Sequence, residues 1–222
     1  MLCLEDLVTS EGRMTGTITA LKFQKRNKER VSVYLDGEYA FGLQAVEAAQ
    51  LRKGQALSDA EIVELKARDE RNQAFDRSLS FLSYRPRSRV EVERYLRGKA
   101  VAEEVIADIV VRLEKAKYLD DEAFARFWVD NREQFRPRSQ RALRYELRQK
   151  GVSDDIITLV LSDRDDEVAA WRAIEGRLTR WANLPRDEFR QKALGYLSRR
   201  GFSYSTISLT LEKAFEALNI ED

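Results

Sequence analysis

The spacing of hydrophobic residues changes near residue 70 of the chain. Before this point, short runs alternate apolar and polar residues with a period of two, which is typical of half-buried strands. After it, apolar residues recur at spacings of three, four and seven, which is typical of amphipathic helices. The pattern therefore predicts a mainly α protein with a small β-containing segment at its start.

The β-containing segment has three β-prone runs, Ile18 to Gln24, Val31 to Leu35 and Glu38 to Leu43. Asp36-Gly37 lies between the last two runs and is a strong hairpin signal, because a type I′ turn needs positive φ at both central residues. The charged loop 25–30 joins the first two runs. We interpret it as an ordinary surface loop in preference to a phosphate contact. The pattern predicts a three-stranded antiparallel meander.

Helical sequence follows the meander and can cover it, as so small a sheet requires. Residues 44–51 have a helical pattern that ends at Lys53-Gly54. Ser58 and Glu61 then have the spacing of a capping box, and Ile62 and Leu65 lie on the apolar side of the helix that it begins.

Residues 85–106 and 136–157 align without a gap at an offset of 51, and nine of the 22 positions are identical. Chance alone would give about one or two matches, so the chain contains an internal repeat. A weaker third copy lies 50 residues further along, where Leu197, Arg200, Gly201 and Ile207 match the second copy.

Each copy has the pattern of three helices. Pro86 and Pro137 end the first helix, and Ser88 and Ser139 are predicted N-caps of the second. The predicted ends of the second helix are Gly151 and Gly201, and the predicted caps of the third are Ser153 and Ser203.

These patterns predict three tandem three-helix repeats in an elongated curved array, preceded by the β-meander and its covering helix. The predicted segments are a polar leader at 1–14, the β-meander with helices at 15–70, and repeats at 71–119, 120–165 and 166–222.

Composition excludes several kinds of chemistry. The chain has no His, which removes Ser-His-Asp and Cys-His catalysis, and its one Cys, Cys3, permits no intramolecular disulfide. It has no apolar run long enough to span a membrane and no secretory signal at its acidic start, so we expect a cytoplasmic protein without membrane contact.

Charge is nearly balanced overall, with 39 Lys and Arg against 38 Asp and Glu, but it is unevenly distributed. Residues 71–150 hold 19 basic and 13 acidic residues, whereas the segments on either side are slightly acidic. A polyanion or an acidic protein surface is a natural partner for this Arg-rich segment. A solvated helix face without a partner is the alternative for any single charge run.

The candidate contact residues are the cations around the second helices of copies one and two. In copy two, Arg141, Arg144 and Arg148 have the spacing of a stripe on one helix face. The Arg-Pro-Arg-Ser turn also places two guanidinium groups beside a helix N-terminus, which predicts an anion site. The full set is Arg85, Arg87, Arg89, Arg97, Lys99, Arg136, Arg138, Arg141, Arg144, Arg148 and Lys150.

No pattern favours an enzyme. Asp120-Asp121-Glu122 could hold Mg²⁺, but its place just before an apolar helical run favours helix capping. The chain has no glycine-rich phosphate loop. We therefore expect no catalytic residue, no metal and no cofactor. A capped basic second helix also resembles a helix-turn-helix, but no second signal favours the reading of DNA sequence.

Three motifs in order resemble the RecX family of bacterial regulatory proteins, over about residues 15–218. The first runs from Ala74-Phe75 to Leu82-Ser83-Tyr84-Arg85-Pro86-Arg87-Ser88. The second is Tyr118-Leu119-Asp120-Asp121-Glu122-Ala123-Phe124-Ala125 and the third is Glu146-Leu147-Arg148-Gln149-Lys150-Gly151-Val152. The third copy lacks the Arg-Pro-Arg-Ser turn, and residues 1–14 match nothing in the family.

The resemblance implies tandem three-helix repeats and a negative regulator of the RecA recombinase in recombination, DNA repair and the SOS response. Such a protein binds the RecA-DNA filament in its groove and inhibits ATPase, strand-exchange and coprotease activity. The implied partners are RecA and, weakly or within the filament, single- or double-stranded DNA; we expect a monomer. Two alternatives remain: a general nucleic-acid-binding repeat protein that displaces RecA by competing for DNA, and a structural adaptor with an unrelated acidic partner.

Overall fold

A computed structural model describes residues 14–218. Of the leader predicted at 1–14, only Met14 is therefore among the described residues, and Cys3 lies outside them. The chain forms two compact units, the first ending at Ser78 and the second beginning at Leu79. Ten helices and four strands are present in the described part of the chain.

The first unit contains an antiparallel sheet with the strand order β3-β2-β1-β4. The strands are β1 Met14–Phe23, β2 Arg30–Leu35, β3 Glu38–Gln44 and β4 Ala56–Ser58. The turn between β2 and β3 has φ of 49° at Asp36 and 93° at Gly37, which confirms the predicted hairpin with positive φ at both residues.

The sheet has four strands, so the prediction of a three-stranded meander is wrong by one strand. Strand β4 pairs with β1, with Leu57 opposite Gly16, and it follows a turn in which Gly54 has φ of 87°. Three residues are too few to display an alternating pattern, which is why the sequence did not reveal this strand. The helix predicted at 44–51 is also shorter, since α1 covers only Ala45–Ala48.

Helix α2, Asp59–Ser83, begins at the predicted capping box. The backbone N–H of Glu61 donates to Ser58 Oγ at 3.3 Å, and the N–H of Ser58 donates to Glu61 Oε2 at 2.8 Å. Ile62 and Leu65 pack against the buried core of the sheet, as predicted, and thereby cover one of its faces.

The described residues of the second unit form helices joined by short loops, without strands, which confirms the prediction of three tandem three-helix repeats. The end of α2 precedes α3 (Arg89–Arg97) and α4 (Glu103–Lys115). The second repeat contains α5 (Asp121–Phe135), α6 (Gln140–Gln149) and α7 (Asp154–Leu161), and the third contains α8 (Asp166–Trp181), α9 (Arg186–Ser198) and α10 (Tyr204–Leu218).

Each of the later repeats has a core of its own, formed by the inward faces of its three helices. Phe124, Leu143 and Leu147 are fully buried in the second repeat, and Phe189 and Leu197 are fully buried in the third. Burial of such side chains is the main source of stability for units of this size.

The predicted helix ends are confirmed. Ser88 closes a complete capping box with Glu91, and the hydroxyls of the other three predicted serine caps accept from backbone N–H groups three residues on. Gly151 and Gly201 have φ of 79° and 89° after the second helices. Asp120 caps α5 by accepting from the N–H groups of Glu122 and Ala123, as the capping interpretation predicted.

Neighbouring repeats meet at a recurring contact between the start of a second helix and a glycine turn. The hydroxyl of Ser88 donates to the carbonyl oxygen of Lys150 at 2.6 Å, and the backbone N–H of Ser139 donates to the carbonyl oxygen of Arg200 at 3.1 Å. In both cases the N-terminus of a second helix packs on the glycine turn that ends the second helix of the next repeat. We call these contacts the first junction (Ser88 with Lys150 and Gly151) and the second junction (Ser139 with Arg200 and Gly201).

Candidate protein or nucleic-acid interface

The first junction contains three of the predicted contact residues, and two of them are held by one carboxylate. Arg85 Nη2 and Lys150 Nζ lie 2.9 and 2.8 Å from Oε1 of Glu91, whose side chain is 11% exposed. Burial alone would raise the pKa of Glu91, but the hydrogen bonds from Arg85 and Lys150 lower it to about 2. This triad bridges two repeats.

Arg87 is the third cation of this junction, and it contacts an aromatic stack. Its guanidinium lies 4.1 Å from the centre of the Phe81 ring, which stacks on Tyr95 at 4.2 Å. Lys99 Nζ lies 5.7 Å from the centre of the Tyr95 ring. Burial, and next the charge of Arg85, lower the pKa of Arg87. Arg87 and Lys99 thus bind aromatic faces in place of carboxylates.

The other two candidates of copy one form exposed ion pairs. Arg89 contacts Glu93 at 2.9 Å and Glu114 at 3.3 Å, and Arg97 contacts Glu103 at 2.6 Å. About half of each arginine side chain is exposed to solvent. Such pairs contribute at most about 1 kcal/mol, so a partner with a stronger anion can replace the carboxylates at little cost.

In copy two, Arg138 is half-buried against Glu146 at 2.9 Å. The same carboxylate accepts from Arg132 Nε and from the Trp128 indole N–H, both at 2.8 Å. Glu146 therefore satisfies three donors inside the second repeat, and Arg138 has a clear role in the packing of that repeat.

Helix α6 presents the predicted arginine stripe. Arg141 Nη2 donates to the carbonyl oxygen of Gly201 at 3.3 Å, and Arg144 Nη1 donates to Thr158 Oγ1 at 3.2 Å. Within residues 14–218, neither guanidinium forms an ion pair. Arg148 contacts Asp154 at 2.7 Å, and both side chains are more than half exposed. Arg136, just before α6, is exposed.

The predicted anion site at the N-terminus of the second helices is wrong in that form, because the chain fills it. The backbone N–H of Arg89 donates to Asp121 Oδ1 at 2.8 Å, and that of Gln140 donates to Asp166 Oδ1 at 2.7 Å. Burial raises the pKa of Asp121, and the hydrogen bond from Arg89 opposes this effect. Each carboxylate comes from the first helix of the next repeat.

The sequence did not reveal the carboxylates that organise these cations. Glu91 has the spacing of a capping box with Ser88 and Glu146 belongs to the third family motif, but neither pattern indicates an ion pair, because the partners lie far along the chain or on another helix. The sequence also indicated no basic site in the third copy, although three arginines of α8 and Arg200, just after α9, lie together there. No helix among the described residues has both the length and the apolar character that a membrane span needs.

RecX family models match four consecutive parts of the chain. The N-terminal RecX domain matches residues 16–58, and the first, second and third three-helix RecX domains match residues 74–113, 120–161 and 165–211. The match therefore includes the sheet and all three repeats.

Curated relatives and solved structures agree with these matches. Regulatory protein RecX of Bacillus subtilis is 38% identical over 92% of this chain and 79% of its own length, and that of Bacillus licheniformis is 36% identical over 88% and 76%. A crystal structure of regulatory protein RecX superimposes with a TM-score of 0.64 at 27% identity and covers 93% of this chain and 100% of that one. With four domains in order and relatives of this similarity, the chain belongs to the RecX family of regulatory proteins.

Proposed function

We propose that this protein is a non-enzymatic, cytoplasmic regulator of the RecA recombinase that acts as a monomer. The observation that carries the proposal is the match of all four RecX domains in order along the chain. RecA is the proposed target because the motifs of this chain resemble those of a family of RecA modulators.

The arginine stripe of α6 supports the proposal that this surface faces a long, negatively charged assembly. Arg141 and Arg144 form no ion pair in the described part of the chain. The hydrogen bond from Arg148 lowers the pKa of Asp154, and the charge of Arg144 adds to this effect. The exposed pair of Arg148 with Asp154 is easily exchanged for a partner's anion. In the proposed complex the repeats lie along the groove of the RecA-DNA filament. The stripe there faces acidic surfaces of RecA and the DNA backbone, and naked DNA is bound only weakly.

Inhibition follows from differential binding. A ligand that binds one state of the filament better than another shifts the assembly equilibrium by that difference in affinity. By occupying the groove, the protein inhibits ATP hydrolysis, strand exchange and coprotease activity together.

The direct test measures ATP hydrolysis by RecA on single-stranded DNA with increasing amounts of this protein. We expect inhibition at amounts stoichiometric with RecA. Unchanged hydrolysis at a several-fold excess would overturn the proposal.

A second candidate is a general nucleic-acid binder that displaces RecA from DNA, and the exposed guanidinium groups of α6 favour it. It predicts strong binding to naked single strands, with a log-log salt slope of about −0.7 per phosphate contact. The RecA regulator also binds RecA without DNA. Sedimentation of the protein with DNA-free RecA therefore distinguishes the two functions.

A further inference from the structure

An arginine-lined cleft lies at the second junction, between the end of α5 and helices α8 and α9. Its volume is about 650 Å³, within the range of sites that bind small ligands. Four guanidinium groups and two carboxylates line it, together with the rings of Phe135 and Tyr196. The charged lining residues are Arg172, Arg177, Arg180, Arg200, Glu133 and Glu175.

Most of the positive charge in this cleft has no counter-ion. Arg177 and Arg200 lie 4.3 and 3.8 Å from the centre of the same Tyr196 ring. Among the described residues, neither of them nor Arg180 forms an ion pair. Glu133 is already bound to Arg164 and lies 3.9 Å from Arg172. The cleft therefore holds like charges in close proximity.

This repulsion acts on Arg200. Its Nε is buried and has no hydrogen-bond partner. Burial lowers the pKa of Arg200, Tyr196 opposes that effect, and the charges of Arg136, Arg177 and Arg138 lower it further. A bound anion would supply the missing negative charge.

Comparison of the two junctions shows which group is missing. At the first junction, Glu91 holds Arg85 and Lys150. At the second junction, Arg136 and Arg200 occupy the equivalent sequence positions, but the position of Glu91 is taken by Ala142. The second junction thus repeats the cations of the first without their carboxylate.

We propose that this cleft binds the phosphate group of a nucleotide or of a nucleic-acid strand. The planar fork of arginine binds phosphate through paired hydrogen bonds, and four such groups suit more negative charge than one carboxylate carries. Phe135, 72% exposed at the cleft, offers a face on which a base can stack. An acidic side chain of a partner protein is the competing occupant.

Binding can be measured on the whole chain by calorimetry and thermal unfolding at constant ionic strength. The probes are pyrophosphate, ATP without Mg²⁺, an oligo-dT strand and a polyglutamate peptide. We expect the phosphate compounds to bind and to raise Tm, with ATP the tighter if the ligand is a nucleotide and oligo-dT the tighter if it is a strand. No phosphate binding above that of chloride, or binding of polyglutamate as tight as that of the phosphates, would overturn the proposal.

Two sets of variants locate the binding. Arg177→Gln with Arg180→Gln should weaken phosphate binding about tenfold, because charged hydrogen bonds are lost. Lys115→Gln with Arg190→Gln removes two exposed cations outside the lining and should leave affinity unchanged. Equal affinity in both double variants would place the ligand elsewhere and overturn the assignment.

Ala142→Glu introduces the carboxylate of the first junction into the second. It should lower phosphate affinity about tenfold by competing for Arg200, whereas Ala142→Gln should not. If Ala142→Glu disturbs folding, the phosphate affinity of the Arg177→Gln, Arg180→Gln variant alone tests the proposed site. All readouts use the isolated protein, so their failure would leave the proposed regulation of RecA untouched.

Discussion

Gly151 lies against the side chain of Val90 across the first junction, so closely that a Cβ at Gly151 would come within 2.3 Å of Val90 Cγ2. The glycine also has φ of 79°, which L-residues rarely adopt. Gly151 therefore ends the second helix of repeat two and also allows the second helix of repeat one to pack closely against it. The same combination recurs at Gly201, where a Cβ would come within 2.7 Å of Ser139 Oγ.

Gly151→Ala should lower the free energy of unfolding by about 2–4 kcal/mol, because backbone strain and overpacking add. The control is Gly54→Ala, where φ is 87° and no atom lies within 4 Å of the added Cβ. Gly54→Ala should lower the free energy of unfolding by only about 1 kcal/mol, because it adds backbone strain without overpacking. Urea unfolding of both variants measures the difference, and equal losses would show that contact with Val90 is unimportant.

Ala100 occupies the position in repeat one that Gly151 occupies in repeat two, and it has φ of 57°. An L-residue is strained there, so Ala100→Gly should raise the free energy of unfolding. The gain should be about 0.5 kcal/mol, since glycine also increases the entropy of the unfolded chain. Ala107→Gly, at an exposed position inside α4, has no such strain to relieve and should destabilise by about 1 kcal/mol. Thermal unfolding of the two variants should therefore move in opposite directions.

Local features were predictable from the sequence and long-range contacts were not. Ser88 and Glu91 form a capping box because residues three apart meet at any helix start. The bond from Ser88 to Lys150 joins residues 62 apart, and no periodicity indicates it. For the same reason, cations that the repeat pattern assigns to the outside, such as Arg85 and Arg138 in the turns before the second helices, are partly buried against carboxylates.

Glu91 should make stability depend on pH in the acid range. Its pKa in the folded protein is about 2, against an ordinary value of 4.5, so folding favours the ionised carboxylate. The stabilisation is complete above pH 4.5 and is lost as pH falls towards 2. Allowing for partial solvent screening, it amounts to about 2 kcal/mol.

Glu91→Gln should therefore lower the free energy of unfolding by about 2 kcal/mol at pH 7 and by less at pH 3, where the wild-type carboxylate begins to lose its advantage. Urea unfolding at both pH values measures this difference. Glu103→Gln is the matched control, because the pKa of Glu103 is also lowered by its bond with Arg97 but the carboxylate is exposed. A loss for Glu91→Gln that is equal at the two pH values would contradict the role given to its charge.

Reversal of the α6 stripe tests which surface meets RecA. Arg141→Glu, Arg144→Glu and Arg148→Glu together should weaken inhibition of the RecA ATPase at least about tenfold, because attraction to an anionic surface becomes repulsion. The charge-matched control is Lys53→Glu, Lys115→Glu and Arg190→Glu, three exposed cations for which no ion pair is described. It changes the net charge equally and should inhibit as the wild type does.

The comparison separates a local contact from a general effect of net charge. If both triple variants lose inhibition equally, attraction depends on overall charge and no specific face is involved. If neither does, α6 lies away from the filament and another surface makes the contact. Circular dichroism should show native helix content in both variants, because Arg141 and Arg144 form only single hydrogen bonds within the protein, and the exposed pair of Arg148 contributes little. Selective loss of inhibition with intact structure would therefore assign the contact to α6.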